Sequence, residues 1–355
     1  MSLKVKLQIP RKDFDVNVDL SVVSGEVTAV YGPSGCGKTS LMRAIAGLEN
    51  SATGFITMGD HIWQNQHYFR PAHQRDIGFV FQDASLFPHL CVFDNLQFGL
   101  RRQSEHKRRV SLEQAIDLLA LSPLLSRSID TLSGGEKQRV AIARAVATSP
   151  AVLLFDEPLA AVDIAHKQDI LRYIQSLHRE LNIPMLYVSH ALDEVARLSD
   201  NLVLLEQGRQ LASGKTVDLL SALTLPFARY EEAAAVLDTT VIGHEPAYGL
   251  SFLKFGHRHF SVIRGTLNKG DKVRLRIMAR DVSLTLKQPE QTSILNIFPA
   301  TIESMVNDGE SQRLIRLNTG GQIILSRITA KSADELALAP GNSVFAQVKA
   351  VSLFV

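Results

Sequence analysis

Gly32, Gly37, Lys38 and Thr39 have the spacing of a loop that wraps phosphate, in the run Gly32-Pro33-Ser34-Gly35-Cys36-Gly37-Lys38-Thr39. Glycines let successive backbone N–H groups turn toward an anion, and a helix starting behind them adds its positive end. Lys38 is then placed to reach the β- and γ-phosphates of a nucleotide, and the Thr39 hydroxyl to ligate Mg2+. A second stretch, residues 151–158, is an apolar run that ends in Asp156, Glu157 and a proline. An aspartate closing such a run is expected to hold Mg2+ through a water. The glutamate one residue on is expected to polarise the attacking water as general base. The chemistry these residues suit is hydrolysis of a nucleoside triphosphate.

Such residues need elements to hold them. "EVTAVY" reads as a strand ahead of the glycine loop and "SLMRAIAGL" as a helix behind it, which is the context that the loop requires. Residues 151–158 have the unbroken apolar pattern of a strand covered on both faces, and "MLYVSH" is a second such run, ending in His190. Ligands bind beyond the carboxyl ends of parallel strands, so both tips are candidate site positions. Residues 1–232 are therefore expected to form an α/β domain on a parallel sheet. The strand pattern stops between Phe87 and Arg127, where "SLEQAIDLLALSPLL" has helical spacing, and a helical subdomain is expected over about 87–130. Further on, "KVRLRIMA" and "SVFAQVKA" alternate, with turn residues at 268–271, 319–322 and 340–342. This pattern predicts a linker and β segment over 233–285 and a small all-β domain over 286–355.

A third stretch decides how the nucleotide is used. In "LSGGEKQRVAIARA", Ser133, Gly134 and Gly135 lead directly into a helical run, giving a second anion-binding helix start. One nucleotide cannot use two such loops from the same face of one domain. Ser133, Gly134 and Gly135 are thus expected to take the γ-phosphate of ATP held by a second copy, and the chain to work as a homodimer with ATP between subunits.

Composition narrows the setting. With 38 basic and 36 acidic residues the formal charge is +2, which gives no broad field for gripping nucleic acid. The two cysteines, Cys36 and Cys91, cannot make a disulfide framework, and Cys36 inside the phosphate loop suits a reduced, cytoplasmic setting. The N-terminal residues lack the apolar core of a signal peptide, and no run of 18 apolar residues occurs. The chain is expected neither to be exported nor to cross a membrane by itself.

The three stretches, in this order, resemble the ATPase subunits of ABC transporters over roughly the first 230 residues. That resemblance implies a role for several further residues. Gln82, in "GFVFQDASLFPHL", matches the glutamine that contacts Mg2+ or water and links the site to the helical subdomain. His190 matches the switch histidine that touches the γ-phosphate. Ser133, Gly134, Gly135 and Gln138 match the signature acting in trans, and Asp163, in "PLAAVD", matches the D-loop aspartate. Ala160 and Val162 replace the usual serine and leucine of that loop. Phe14 is the counterpart of the aromatic that stacks on adenine.

"FVFQDASLFPHLCVFDNLQFGL" resembles importer ATPases, where Phe87, Pro88, Leu90 and Val92 would line a groove for a cytoplasmic helix of a membrane subunit. In the tail, "IMARDVSLTL", "QTSILNIFPATI" and "VFAQVKAVSLFV" look like the OB-like, molybdate-binding type of β-domain on the ATPase subunit of molybdate importers. The implied partners are two integral-membrane permease subunits and, indirectly, a periplasmic oxyanion-binding protein. The implied place is the cytoplasmic face of the bacterial inner membrane, with ATP and Mg2+ as cofactors. A tetrahedral dianion wants hydroxyl, N–H and cationic donors, and Thr292, Ser293, Lys349 and Ser352 are donors at matching positions. Leu295 stands where the family often has arginine, so a β-domain that only dimerises is the competing reading of the tail. Tungstate, sulfate, iron or a sugar are the competing cargoes. A soluble ATPase of the same superfamily, acting on nucleic acid or ribosomes, is the reading from another class.

Overall fold

The computed structural model describes residues 2–100, 110–160, 162–263 and 267–354. It divides into two compact units, 1–215 and 216–355.

The first unit is built on one sheet of ten described strands, β1 to β10, among them β5 (His61–Gln64) and β10 (Arg209–Lys215), in the order β5-β4-β1-β2-β10-β9-β3-β8-β7-β6. Its core is parallel: β9 (Asn201–Glu206), β3 (Val27–Tyr31), β8 (Met185–Ser189), β7 (Val152–Asp156) and β6 (Ile77–Val80) lie side by side. All five residues of β3, β7 and β8 are buried, as expected of strands covered on both faces. The other wing is antiparallel, with β1 (Ser2–Ile9) between β2 (Val16–Val23) and β4 (Thr53–Met58). There "SLKVKLQI" alternates apolar-in, polar-out, because only one face is covered.

Register decides where the strands end. Tyr31 is level with Ser189, and Asp156 with Val188. The loops after β3, β7 and β8 therefore leave the same carboxyl edge side by side. The helical part holds α2 (Val92–Leu100) and α3 (Leu112–Leu118), both packed on α4 (Gly134–Ala147). Residues 101–109 of the expected helical subdomain lie outside the described residues. Helices α1 (Lys38–Ile45), α5 (Ile164–Glu180) and α6 (Leu192–Leu198) complete the elements that position the site.

The second unit has two five-stranded sheets. One runs β13-β12-β11-β14-β20 and the other β15 (Val282–Thr285), β19 (Ser343–Val348), β16 (Asn296–Asp308), β17 (Gln312–Asn318) and β18 (Ile323–Thr329). The stretch expected as a linker and β segment over 233–285 holds five described strands, β11 to β15. β11 (Ala234–Glu245), β12 (Leu250–Phe255), β13 (Arg258–Ile263) and β14 (Lys272–Met278) make up most of the first sheet. The C-terminal β20 (Ser352–Phe354) returns to pair with β14. Leu237, Phe255, Phe260 and Ile277 share one core with Phe298, Ile315 and Val344. Residues 234–285 are thus half of one hydrophobic unit, and neither half is a core without the other. The stretch "AAVL" at the start of β11 is buried throughout, so it lacks the alternation that marks a one-sided strand. The domain break falls at 215/216 instead of at 232.

Candidate active site at the carboxyl edge of the parallel strands

The loop after β3 is shaped by two glycines. A Cβ on Gly32 would sit 2.0 Å from the Leu205 carbonyl oxygen, and Gly37 has φ 108° with Val16 where a Cβ would go. A side chain at Gly32 would have to move backbone, and one at Gly37 would be strained at that φ and displace the Val16 side chain. Pro33, Ser34 and Gly35 face solvent, while Cys36 turns into the core. Burial pushes the Cys36 thiol up from its ordinary value, so it packs as a small hydrophobe.

Lys38 opens α1 and is only 4% exposed. Its Nζ donates to the carbonyls of Gly32 at 2.8 Å and Pro33 at 3.0 Å, and lies 3.4 Å from Glu157 Oε1. The ammonium therefore spans the inside of the loop. Glu157 Oε2 is 3.1 Å from His190 Nδ1, so one carboxylate stands between the loop lysine and the histidine at the tip of β8. Glu157 adopts φ 46°, a left-handed backbone that costs a non-glycine residue on the order of 1 kcal/mol or more. Its N–H donates to the Val188 carbonyl at 3.1 Å, which helps fix that turn.

Asp156 is 5% exposed, and Thr39 Oγ1 donates to its Oδ1 at 3.3 Å. Burial raises the Asp156 carboxyl to about 6, against the opposing Thr39 hydrogen bond and with neighbouring Glu157 adding to the rise. A buried carboxylate whose charge lacks compensation, beside a hydroxyl, is a donor set that a hard divalent cation takes. Among the described residues no three His, Cys, Asp or Glu side chains form a cage of their own. An ion held by Asp156 and Thr39 would complete its shell with phosphate and water oxygens.

The other candidates lie further off. Gln82 is exposed just beyond β6, next to Phe81, whose ring stacks on Phe79 at 4.1 Å. Phe14 is half-buried against the core that holds Cys36, with Gly208 packed on its ring. Ser133 caps α4: its hydroxyl accepts from Glu136 N–H at 3.2 Å, and Glu136 returns the contact to Ser133 N–H at 2.8 Å. Ser133 and Gly134, at the start of α4, are exposed. Gly135 and Gln138 are buried. The Gln138 amide lies 3.5 Å from the Phe81 carbonyl, beside the segment that carries Gln82. Asp163 caps α5 through His166 N–H at 3.1 Å and also pairs with the His166 ring.

The segment after Gln82 differs from expectation at one position. Pro88 is exposed and Phe87 and Leu90 are half-buried, but Val92 has no exposed surface and belongs to the core. Two residues that sequence reasoning missed hold this segment. Asn95, fully buried in α2, accepts from Phe87 N–H at 2.9 Å and turns its amide to the carbonyls of Phe87, Leu90 and Cys91. Arg144, from α4, donates to the Ser85 carbonyl at 2.9 Å and lies 5.2 Å from the Phe87 ring centroid. An asparagine within the helical run "VFDNLQFGL" is the signal that could have found it. Thr292, Ser293, Lys349 and Ser352 are all exposed in the second unit. Leu295 beside them is 66% exposed.

The glycine loop, the Asp–Glu strand tip, the capped Ser-Gly-Gly helix and the strand-end histidine on this mixed sheet define an ATP-binding ABC-type ATPase. The ABC transporter family model matches residues 16–160, and the TOBE domain model matches residues 292–355. The molybdenum import ATP-binding protein ModC of Aromatoleum aromaticum is 48% identical over 342 residues, 96% of this chain and 91% of that one. Its counterpart in Pseudomonas savastanoi is 47% identical over 99% of this chain and 98% of that one. A solved ATP-binding cassette dimer in a post-hydrolysis state, bound to ADP and Pi, aligns with TM-score 0.51 and 25% identity, over 61% of this chain and 99% of that one. The chain belongs to the family of molybdenum import ATP-binding proteins of ABC transporters. No described helix is long and apolar enough to cross a membrane.

Proposed function

We propose that this chain is the ATP-hydrolysing subunit of an ABC importer that energises molybdate uptake. The observation that carries the reading is the position of Glu157, held between Lys38 Nζ and His190 Nδ1 beside buried Asp156. Near-full-length identity to molybdenum import ATP-binding proteins supports the cargo.

Two copies bind two ATP molecules. In each, Lys38 leaves its loop carbonyls and Glu157 for the β- and γ-phosphates, while the amides of residues 32–39 surround them. Phe14 stacks on adenine. Ser133 and Gly134 of one copy cap the γ-phosphate held by the other, and the exposed start of α4 supports this arrangement. Release of Lys38 frees Glu157 to accept a proton from the attacking water, and His190 contacts the γ-phosphate from the tip of β8. Asp156, Thr39 and Gln82 would hold Mg2+, which would supply neutralisation of charge on the phosphates. Asp163, at the start of α5, borders the copy-to-copy contact.

Closure moves the helical segment through Gln82 and acts on two membrane permease subunits seated on the 87–91 loop, a shift between two states with different contacts. The chain then works at the cytoplasmic face of the inner membrane, and a periplasmic oxyanion-binding protein delivers the cargo. The second unit, through Thr292, Ser293, Lys349 and Ser352, senses cytoplasmic oxyanion. ATP-dependent molybdate uptake in cells lacking this gene, restored by the wild-type gene and challenged with tungstate and sulfate, tests the reading. Uptake unaffected by loss of the gene overturns it.

A further inference from the structure

Glu194 is a buried carboxylate that the hydrolytic residues do not account for. It lies in α6, 4% exposed. Oε2 accepts two hydroxyl hydrogen bonds, from Tyr187 at 2.7 Å and from Ser189 at 2.8 Å, and Oε1 is ion-paired with Lys167 Nζ. Burial pushes the Tyr187 phenol well above its ordinary value, so it stays a donor. Removing a charge-accepting partner from such a set leaves buried groups unmatched.

Two of these contacts lead to residues already placed at the site. Ser189 immediately precedes His190, and its hydroxyl also accepts the Ala191 N–H at 3.0 Å. The same oxygen therefore bridges the backbone on both sides of His190, and Glu194 fixes that oxygen. Lys167 is on α5, where its own N–H donates to the Asp163 carbonyl at 3.0 Å. Arg197, one turn beyond Glu194, repeats the tie by donating to Gln168 and Gln175 of α5.

We infer that Glu194 is a positioning residue for hydrolysis: it holds the His190 turn through Ser189 and links that turn, through Lys167, to the α5 start at Asp163. The inference rests on the ATPase reading above. Displacing Asp163 against a second copy shifts Lys167, and the shift reaches His190 through one carboxylate. Packing by itself does not require this arrangement. A buried Glu–Lys pair replaced by apolar groups is often neutral for stability, whereas two hydroxyls on one oxygen beside a catalytic turn set a direction.

The test is steady-state ATPase kinetics on the purified full-length chain, comparing Glu194→Gln, Ser189→Ala, His190→Ala and the two double variants with His190→Ala. Misplacing His190 is expected to lower kcat roughly tenfold or more in Glu194→Gln and in Ser189→Ala, with KM for ATP changed less than about threefold. Each double variant is expected to be no slower than His190→Ala alone, since the residues act through one group. Losses that multiply in the double variants mean a structural role and overturn the inference, as does wild-type kcat in Glu194→Gln. If Glu194→Gln melts early, Ser189→Ala decides, because it removes one hydroxyl and leaves the ion pair. Glu157→Gln is measured alongside. If it retains turnover, the ATPase reading itself has failed. If it loses turnover while Glu194→Gln and Ser189→Ala keep it, only this inference falls.

Discussion

Glu157 Oε2 lies 3.1 Å from His190 Nδ1, across the ends of two adjacent parallel strands. The contact joins the residue suited to activate water with the residue suited to sense phosphate. The opposite carboxylate oxygen faces Lys38, so the same side chain answers to all three elements of the site.

Glu157→Gln keeps the size and hydrogen-bonding reach of the side chain but removes the base. Turnover is expected to fall by about two orders of magnitude or more, the scale of a lost general base, with ATP affinity nearly kept. An ATP-bound dimer should then accumulate on size-exclusion chromatography. Phosphate release at the wild-type rate removes Glu157 from this role.

Lys38→Ala takes away the ammonium that bridges the loop carbonyls and Glu157. Losing one partner of a buried charge pair costs about 2–5 kcal/mol, roughly one and a half to three and a half orders of magnitude in Kd. Titration with a fluorescent ATP analogue is expected to show no saturable binding in the micromolar range, and saturation there contradicts the assignment.

Asp156 gives a pH-dependent signature. Its carboxyl is raised from an ordinary 3.8 to about 6 by burial, so the fold favours the protonated form. Its contribution to stability is complete below pH 3.8 and is lost as pH rises through 6, leaving an ionised group that costs about 3 kcal/mol at 1.4 kcal/mol per unit. In buffer free of divalent ions, Asp156→Asn is expected to melt higher than wild type at pH 8, with the gap closing toward pH 4. Added Mg2+ should raise the wild-type melting temperature and not that of the variant. A variant that melts lower than wild type at pH 8 contradicts the assignment.

What was legible in the sequence follows from range. The glycine loop and the Asp156–Glu157 tip were readable because glycine conformation and an apolar strand are local properties. The capping box at Ser133 and Glu136 is also local, and it agrees with the helix read there. The contact of Gln138 with the Phe81 carbonyl was not readable in the same way, because it joins residues 57 apart in the chain. Residues 234–285 hid their role because half of a two-sheet core has no pattern of its own until the other half arrives. Glu194 looks like an ordinary first-turn acid of a helix until Tyr187, Ser189 and Lys167 are seen around it.

Asn95 and Arg144 give the last prediction, which concerns coupling. Both grip the 84–91 segment from different helices, and that segment is the proposed seat of the membrane partner. Asn95→Leu keeps the branched shape but strands the Phe87 N–H and removes the side-chain donor to the Phe87, Leu90 and Cys91 carbonyls, and it is expected to lower stability by about 2–4 kcal/mol, as measured by denaturant unfolding. Arg144→Met leaves the Lys38, Asp156 and Glu157 contacts untouched while releasing the Ala84 and Ser85 carbonyls and the Phe87 ring. ATPase activity of the purified chain should therefore stay within about threefold of wild type, because no atom near the phosphates has moved. Molybdate uptake by the reconstituted complex should fall roughly tenfold, a coupling loss of about 1.4 kcal/mol. Equal losses in both assays would place Arg144 in the catalytic step or the fold, and unchanged uptake would remove the 84–91 segment from the transport path.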